Sequence, residues 1–507
     1  TSPMPRTTFR SSLLGTVACA CLAVLPAAPP PLRTELPLAG DWPVGGSVPV
    51  YGGSSTPVER LSYARTVTVP AEWAGNRIQL EWSALNFAGE IFVDGQRVAN
   101  PVGAWRPGSV DLTDRVRPGA SFELRIELEG MTGPRTLGTD GWERWPVGNQ
   151  RFDGRFAGIA DDLWLRAYGE VSIRDTFIQP DVARGRLVVT HTVRNDTAAP
   201  QAVRLHAAAL PWSEAYDPAN PPAPERTWPA LPFTLAPGET RELALHLDWP
   251  DARLWTPDTP HLYVLRSELR RGDGRLDAET RRFGFREFRV QGERFSLNGV
   301  PTTLRGDYLG FGGYIPVAMQ TPAALPETYR LLKRDLGINA LRWHLRPAPG
   351  YVYDLADEVG LLIVAETSVY GRPDPRLHMP PDVKAEFLAN VHAWLPDWIR
   401  SRRNHPSIVV WSAINEMGPK YRNHQGLTVE ELKAAGAVVR AVDPTRPVLY
   451  HGNAEVRDED MVSYHYPGRP PENPRGDIYQ WRRLLVPGKP TGVGEYFQTS
   501  PTAPGQG

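Results

Sequence analysis

From about residue 291 onward, short apolar strands alternate with helical stretches, and this alternation restricts the fold more than any other feature of the chain. Alternating strands and helices predict a parallel sheet connected by crossover helices. Eight such units close a (β/α)8 TIM barrel. Seven runs are typical of strands: TTLRGDYL, INALRWHL, LLIVAET, SIVVWSAINE, VLYHGN, MVSYHYP and PTGVGEYF. The sequence therefore predicts an α/β TIM barrel over residues 291–507.

This barrel lacks a last strand in the sequence as given, because the chain stops ten residues after Phe497. Two interpretations are open. Either the barrel is truncated at this point, or the chain is a fragment of a longer gene product.

Two all-β regions precede the barrel, so the prediction is a multidomain β plus α/β protein. Residues 33–170 contain period-two runs such as RIQLEW and SFELRIELEG, with Asp94-Gly95 as a hairpin signal. Short strands with regular turns predict an N-terminal jelly-roll sandwich. Residues 171–290, with GRLVVTHTVRND and RELALHLDW as their clearest strands, predict a smaller immunoglobulin-like sandwich.

Residues 1–30 have the pattern of a signal peptide. Arg6 and Arg10 precede an apolar stretch, and small residues and prolines follow it. The apolar stretch is too short to predict a membrane span. We therefore expect a secreted or periplasmic bacterial protein. Both cysteines, Cys19 and Cys21, lie in this segment, so a mature chain would contain no disulfide, thiol nucleophile or Cys-zinc site.

Charge and motifs exclude several classes of function. The formal net charge of −1 gives no electrostatic reason to expect nucleic acid or an anionic membrane as a partner. The run GFGGYI has Ile315 where a dinucleotide-binding loop needs its third glycine, and the chain contains no H-E-x-x-H motif. We expect no metal and no cofactor.

Two carboxylates lie at the ends of predicted barrel strands. Glu416 ends the fourth strand and Glu495 the seventh. The C-terminal ends of barrel strands share one face, which carries the chemistry. A pair of carboxylates on one face is the equipment for glycoside hydrolysis, in which one protonates the leaving oxygen and the other attacks the anomeric carbon.

The segment RRNHPSIVVWSAINEMG resembles the acid/base signature of glycoside hydrolase family 2, the β-galactosidase, β-glucuronidase and β-mannosidase family. Three further runs, DPTRPVLYHG, FSLNGVPTTLRG and GIADDLWLRAYG, resemble other parts of that family. The resemblance covers nearly the whole chain after residue 30. It implies a retaining exo-β-glycosidase with Glu416 as acid/base, Glu495 as nucleophile, and Asn415 as hydrogen-bond partner of the substrate 2-hydroxyl.

The resemblance also implies supporting residues. Arg342 resembles the family's arginine beside the nucleophile, although a structural ion pair with Glu366 is the alternative. Tyr466 resembles the tyrosine that donates to the nucleophile, although Tyr464 could take that role. Trp411 is placed where an indole ring could contact a sugar.

Other points stay open. On the second strand, Leu345 occupies the position of the family's histidine, so a substrate-binding histidine is not expected there. His451 and His465 are interpreted as core or loop histidines.

The sugar is not determined, with β-galactoside, β-glucuronide, β-mannoside and glucosaminide as candidates. An inactive carbohydrate-binding protein on a degenerate barrel is the rival hypothesis, and a homo-oligomer is compatible with the family.

Overall fold

The computed structural model describes residues 34–38, 60–131, 133–138, 142–148, 157–309, 317–370, 379–419, 426–453, 455–456, 460–465 and 485–495. The predicted signal peptide lies outside these residues. Among the described residues, none of the helices is both long and apolar enough to cross a membrane.

The first domain is a sandwich of antiparallel sheets, as the period-two runs predict. One sheet has the order β1-β10-β3-β7, a second β2-β8-β5-β6, and β4 pairs with β9. The Asp94-Gly95 turn joins β5 to β6 with both residues at positive φ, as a tight hairpin requires. The strands are β1 (Thr34–Pro37), β2 (Arg60–Thr68), β3 (Arg77–Trp82), β4 (Leu85–Asn86), β5 (Ala88–Val93), β6 (Gln96–Ala99), β7 (Gly108–Asp111), β8 (Ser121–Glu129), β9 (Gly158–Ile159) and β10 (Leu163–Tyr168), and the helix α1 is Pro134–Leu137.

The second domain is a smaller antiparallel sandwich. Its sheets have the orders β11-β12-β16 and β14-β13-β17-β18, with β15 also paired to β13. Apolar side chains from both sheets form two shared clusters between them. The strands are β11 (Val171–Asp181), β12 (Arg186–Asn195), β13 (Gln201–Pro211), β14 (Arg226–Thr227), β15 (Leu231–Leu235), β16 (Thr240–Asp248), β17 (Tyr263–Arg271) and β18 (Gly274–Phe283).

A three-stranded meander connects this sandwich to the barrel. It consists of β19 (Phe288–Gln291), β20 (Arg294–Leu297) and β21 (Val300–Thr302). Phe288 and Phe295 belong to an apolar cluster that contains barrel residues such as Val364 and Leu449 and also Trp255 and Leu262 of the second domain. The predicted boundary between residues 290 and 291 falls within β19, and the meander packs against both neighbouring domains.

The third domain contains the seven predicted barrel strands in parallel arrangement. Five form the sheet β22-β23-β24-β25-β26, and β27 pairs with β28. The strands are β22 (Gly306–Leu309), β23 (Ala340–Trp343), β24 (Leu362–Glu366), β25 (Ile408–Asn415), β26 (Val448–His451), β27 (Val462–His465) and β28 (Thr491–Glu495). The helices are α2 (Leu325–Leu336), α3 (Gly350–Val359), α4 (Pro381–Arg402) and α5 (Val429–Val442). Residues 496–507 lie outside the described part of the chain, so the missing eighth strand stays a prediction.

The segment between α4 and β25 connects the three domains. Arg402 forms an ion pair with Asp161 of the first domain. Asn404 bonds two backbone groups of β11, donating to the carbonyl of Thr176 at 2.7 Å and accepting from the amide of Ile178 at 2.9 Å. The RRNHPS part of the signature thus fixes the start of β25 against both sandwiches.

Candidate active site

Glu416 follows the last residue of β25 and leaves the strand sharply. All eight residues of β25 are buried, as expected for a parallel strand covered on both faces. The amide of Glu416 still donates to the carbonyl of His451 at 3.0 Å, but its φ of 51° ends the extended conformation. Non-glycine residues rarely adopt positive φ, and such positions concentrate at functional sites.

An ion pair lies at the C-terminal ends of the neighbouring strands. Arg342 of β23 donates to both carboxylate oxygens of Glu366 on β24, at 2.9 and 2.8 Å. The same guanidinium donates to Oδ1 of Asn415 at 2.7 Å. Because Oδ1 is held in this way, Nδ2 of Asn415 is oriented as a donor, and it has no hydrogen-bond partner among the described residues. That orientation suits donation to a substrate hydroxyl.

The Glu366 carboxylate is completely buried and ionised. Burial alone would raise its pKa, but the charge of Arg342 and the hydrogen bond with His344 hold the pKa of Glu366 well below its usual range. Further bonds come from the Ser412 hydroxyl and the Leu345 amide, at 2.8 and 2.7 Å. Glu366 is therefore a structural partner of Arg342 and not a proton donor. The alternative considered for Arg342, an ion pair with this acid, is what the structure shows.

Two histidines connect Glu416 to the interior of the barrel. His465, the last residue of β27, has Nδ1 at 2.6 Å from Oε1 of Glu416. Its other ring nitrogen lies 3.0 Å from Nδ1 of His451, the last residue of β26. Burial lowers the pKa of His451 well below its ordinary value, and the nearby charge of Arg342 lowers it further. His465 is thus a buried, hydrogen-bonded histidine, as the interpretation of a core histidine states, and one of its partners is Glu416.

Glu495 ends β28, and its backbone lies beside that of His465. The two residues are register partners in the parallel pair β27–β28. Gly494 is an extra residue in this register, and its carbonyl lies 3.5 Å from Nη1 of Arg342. The strand end of Glu495 thus adjoins His465, which contacts Glu416. The side chain of Glu495 lies outside the described residues, as does Tyr466.

Trp411 does not occupy the predicted position. Its ring is fully buried, packs edge-on against Trp398 of α4, and donates from Nε1 to Asp443 at 2.8 Å. The prediction that Trp411 contacts the sugar is corrected, because this side chain points to the helical layer and away from the strand ends. Trp343 is buried as well.

The departure on the second strand has a structural counterpart. Leu345 is buried and has a φ of 64°, in the left-handed region. His344, one position earlier, is also buried, with Nδ1 3.3 Å from Oε1 of Glu366. This histidine therefore supports the Arg342–Glu366 pair.

Two family models match the chain. The model described as "Glycosyl hydrolases family 2, TIM barrel domain" matches residues 321–505, and "Glycosyl hydrolases family 2" matches residues 171–286. The chain belongs to glycoside hydrolase family 2. The match to the second domain ends at residue 286, before β19.

Curated relatives of this family 2 chain include two glycosidases. A β-glucuronidase of Paenibacillus borealis is 26% identical over 406 residues, which are 76% of this chain and 63% of the relative. A β-galactosidase of Klebsiella pneumoniae (strain 342) is 26% identical over 483 residues, which are 89% of this chain and 43% of the relative. The chain thus spans less than two thirds of the length of either relative.

Solved structures of family 2 proteins share the fold. A β-galacturonidase from Eisenbergiella tayi bound to galacturonate has a TM-score of 0.72 and 23% identity, covering 92% of this chain and 82% of its own. A Bacteroides uniformis β-glucuronidase has a TM-score of 0.69 and 22% identity, covering 92% and 59%. The sandwich and TIM-barrel architecture is therefore that of the family.

Proposed function

We propose that the protein is a retaining exo-β-glycosidase that removes terminal sugars from oligo- or polysaccharides by double displacement. The observation that carries the proposal is the position of the two acids. Glu416 and Glu495 end parallel strands of one barrel, and His465 contacts the first and is the register partner of the second. Family membership supports the same chemistry.

In the first step, Glu495 attacks the anomeric carbon while Glu416 donates its proton to the glycosidic oxygen, and a glycosyl-enzyme ester forms. In the second step, Glu416 removes a proton from water, which attacks the ester and releases the sugar with retained configuration. Asn415 donates from Nδ2 to the substrate, because Arg342 holds its Oδ1.

The experiment is kinetic analysis of E495A and E416A with aryl β-glycosides. We expect E495A to abolish turnover, and added azide to restore part of it with a product of inverted configuration. Azide with E416A should give a retained azide product, because the nucleophile is still present. Inverted product from E416A would reverse the two roles, and substrate binding without release of aryl alcohol by the unaltered protein would contradict an enzymatic function.

The sugar is proposed as a class. The relatives and the solved structure reported above are a β-glucuronidase, a β-galactosidase and a β-galacturonidase. We propose a β-galactoside as the first candidate and a β-glucuronide or β-galacturonide as alternatives. A panel of nitrophenyl β-galactoside, glucuronide, galacturonide, mannoside and glucosaminide measures this choice as a ratio of kcat/KM values.

Location and assembly are further proposals. Residues 1–30 have the pattern of an export signal, which supports a secreted or periplasmic protein. N-terminal sequencing of the exported protein tests cleavage in this segment. Light scattering of the purified protein tests the homo-oligomer.

A further inference from the structure

Among the residues that the structure describes, His465 is the titratable side chain that bonds the Glu416 carboxyl group. This contact joins β25 to β27, two strands that are not neighbours in the described sheets. The ring of His465 is fully buried, whereas 12% of the Glu416 side chain is exposed. The exposed part of Glu416 is thus available to a ligand, and the buried part is held by His465.

His465 is itself held by His451, through the ring nitrogen that does not face Glu416. Its Nε2 lies 3.0 Å from Nδ1 of His451, and that nitrogen lies 3.3 Å from the Ser463 hydroxyl. His451 stays neutral, because burial and Arg342 both oppose its protonated form. A neutral imidazole presents one donor and one acceptor, so the pair of rings forms one continuous hydrogen-bonded chain that ends at Glu416.

An imidazole suits a carboxyl group that changes protonation state during the proposed reaction. A ring nitrogen accepts from a carboxylic acid and donates to a carboxylate, whereas a lysine or arginine only donates. Glu416 also needs external support, because its backbone has left the strand at positive φ. Misplacement of a reacting group by about 1 Å can cost about 100-fold in rate.

We propose that His465 is a positioning residue, which holds the Glu416 carboxyl group toward the glycosidic oxygen, and that His451 holds the ring of His465. This inference rests on the proposed glycosidase function, and it assigns a role to two residues that the family signature does not contain. Neither histidine contacts the substrate in this account. Both act through Glu416.

The test compares H465A, H465N and H465Q. The side-chain nitrogen of asparagine reaches about the position of Nδ1, which faces Glu416. That of glutamine reaches about the position of Nε2, which faces His451. Each variant is assayed with a nitrophenyl glycoside, whose leaving group needs little protonation, and with the matching alkyl glycoside, whose leaving group needs an acid.

We expect H465A and H465Q to lower kcat/KM, which reports the first step, by about 10- to 100-fold for the alkyl glycoside and to change it little for the nitrophenyl glycoside. H465N should restore most of the lost rate. A general loss of folding would lower the rates with both substrates by the same factor and would also lower the unfolding temperature. Rescue by glutamine but not asparagine, or an alkyl-to-nitrophenyl ratio unchanged in H465A, would overturn the proposal.

A second measurement does not depend on activity. Nitrogen-15 NMR of histidine-labelled protein reports the ring nitrogens of His465 in the unaltered protein and in E416Q. We expect the Nδ1 signal of His465 to shift in E416Q, and a ring signal indifferent to E416Q would overturn the contact. If E416A hydrolyses every glycoside as the unaltered protein does, the proposed function fails and the NMR result still decides whether the contact exists. If E416A is impaired but H465A and H465Q are not, this inference fails alone.

Discussion

Three carboxylates, Glu366, Glu416 and Glu495, lie at the ends of barrel strands. The side chains of Glu366 and Glu416 are described, and they have different partners. Glu366 is saturated by Arg342, Ser412 and the Leu345 amide, and its side chain is completely buried. The partner of Glu416 is His465, whose imidazole can be neutral, and the Glu416 side chain is partly exposed. An acid held by a permanent cation stays ionised, whereas an acid beside an imidazole can exchange a proton. The partners therefore distinguish the structural acid, Glu366, from the proposed acid/base, Glu416.

Replacing Glu366 should destabilise the protein strongly. E366Q leaves the buried Arg342 guanidinium without its counter-charge, and breaking a buried ion pair in this way costs about 3–5 kcal/mol. Denaturant unfolding measures the loss. The control is E327Q, which removes an exposed pair with Arg330 and should change the free energy of unfolding by less than about 0.5 kcal/mol. Equal effects of the two substitutions would show that the buried pair does not hold the strand ends.

The sequence predicts Glu416 and Glu495 because each ends a recognisable apolar strand, and the family resemblance adds Asn415 and Arg342. It does not predict the role of His465, because the contact joins residues that are 49 positions apart. Local patterns carry no information on such a pairing. A signal was present all the same, since His465 and His451 both end predicted parallel strands and must lie at the same edge of the sheet.

At the scale of elements, the barrel strands are predictable because parallel strands are buried on both faces and appear as continuous apolar runs. Because both faces are apolar, the sequence does not show to which face of the sheet each side chain points. All eight residues of β25 are buried, so polarity does not distinguish the face that meets the helices from the face that meets the interior. This is why the sequence placed Trp411 near the sugar, whereas its ring packs against α4.

The last described strand, β28, carries a glycine where a side chain would reach the histidine chain. A Cβ atom on Gly494 would lie 2.3 Å from Cε1 and Nδ1 of His451 and 2.6 Å from the Ser463 hydroxyl oxygen. Contacts of that length force a neighbour to move. An irregular strand position with glycine often marks such a close approach.

We therefore expect G494A to displace His451 and to lower kcat/KM for alkyl glycosides more than for nitrophenyl glycosides, by about 10-fold or more. The matched control lies two residues earlier on the same strand. A Cβ atom on Gly492 would meet only the Met461 methyl at 3.9 Å, an ordinary contact, so G492A should retain activity. Full activity of G494A would show that the position of His451 has no effect on the site.

At the scale of the whole molecule, one segment connects the two sandwiches to the barrel. Arg402 pairs with Asp161, Arg403 pairs with Asp175, and Asn404 satisfies two backbone groups of β11. The family signature is thus largely structural up to the start of β25, and its proposed catalytic residue, Glu416, lies at its end. The sequence predicts the domains from their periodicity, but this connection depends on contacts between distant segments.

N404A should lower the stability of the whole assembly. It leaves the amide of Ile178 and the carbonyl of Thr176 without their partner, at a cost of about 1–3 kcal/mol. Denaturant unfolding followed by tryptophan fluorescence measures this cost. N220A, at an exposed turn, is the control and should be neutral. A loss confined to N220A, or none in N404A, would contradict a connecting role of the segment.

Asp162, the residue before β10, should also make the stability of the protein depend on pH. Burial, together with the charge of Asp161, raises the pKa of Asp162 from 3.8 to about 6, against the opposing charge of Arg402. The folded protein thus binds this proton more tightly than the unfolded chain does. The corresponding stability is complete below pH 3.8 and is lost as the pH rises through about 6.

D162N carries no such charge, so we expect it to become more stable than the unaltered protein as the pH rises from 4 to 7, by about 1–3 kcal/mol at the upper end. Unfolding temperatures at several pH values measure the difference between the two proteins. A difference that is constant with pH would exclude Asp162 as the titrating group.

We propose that Glu495 and Glu416 divide the reaction between them, with Glu495 as nucleophile and Glu416 as acid/base. The most direct measurement is covalent trapping with a 2-deoxy-2-fluoro glycoside of the preferred sugar bearing a dinitrophenyl leaving group, followed by mass spectrometry of the peptides. The fluorine slows both steps and the leaving group restores the first, so the glycosyl ester accumulates. We expect the label on Glu495, in the unaltered protein and in H465A alike. A label on Glu416, or stoichiometric release of dinitrophenol without any labelled carboxylate at residue 495, would contradict it.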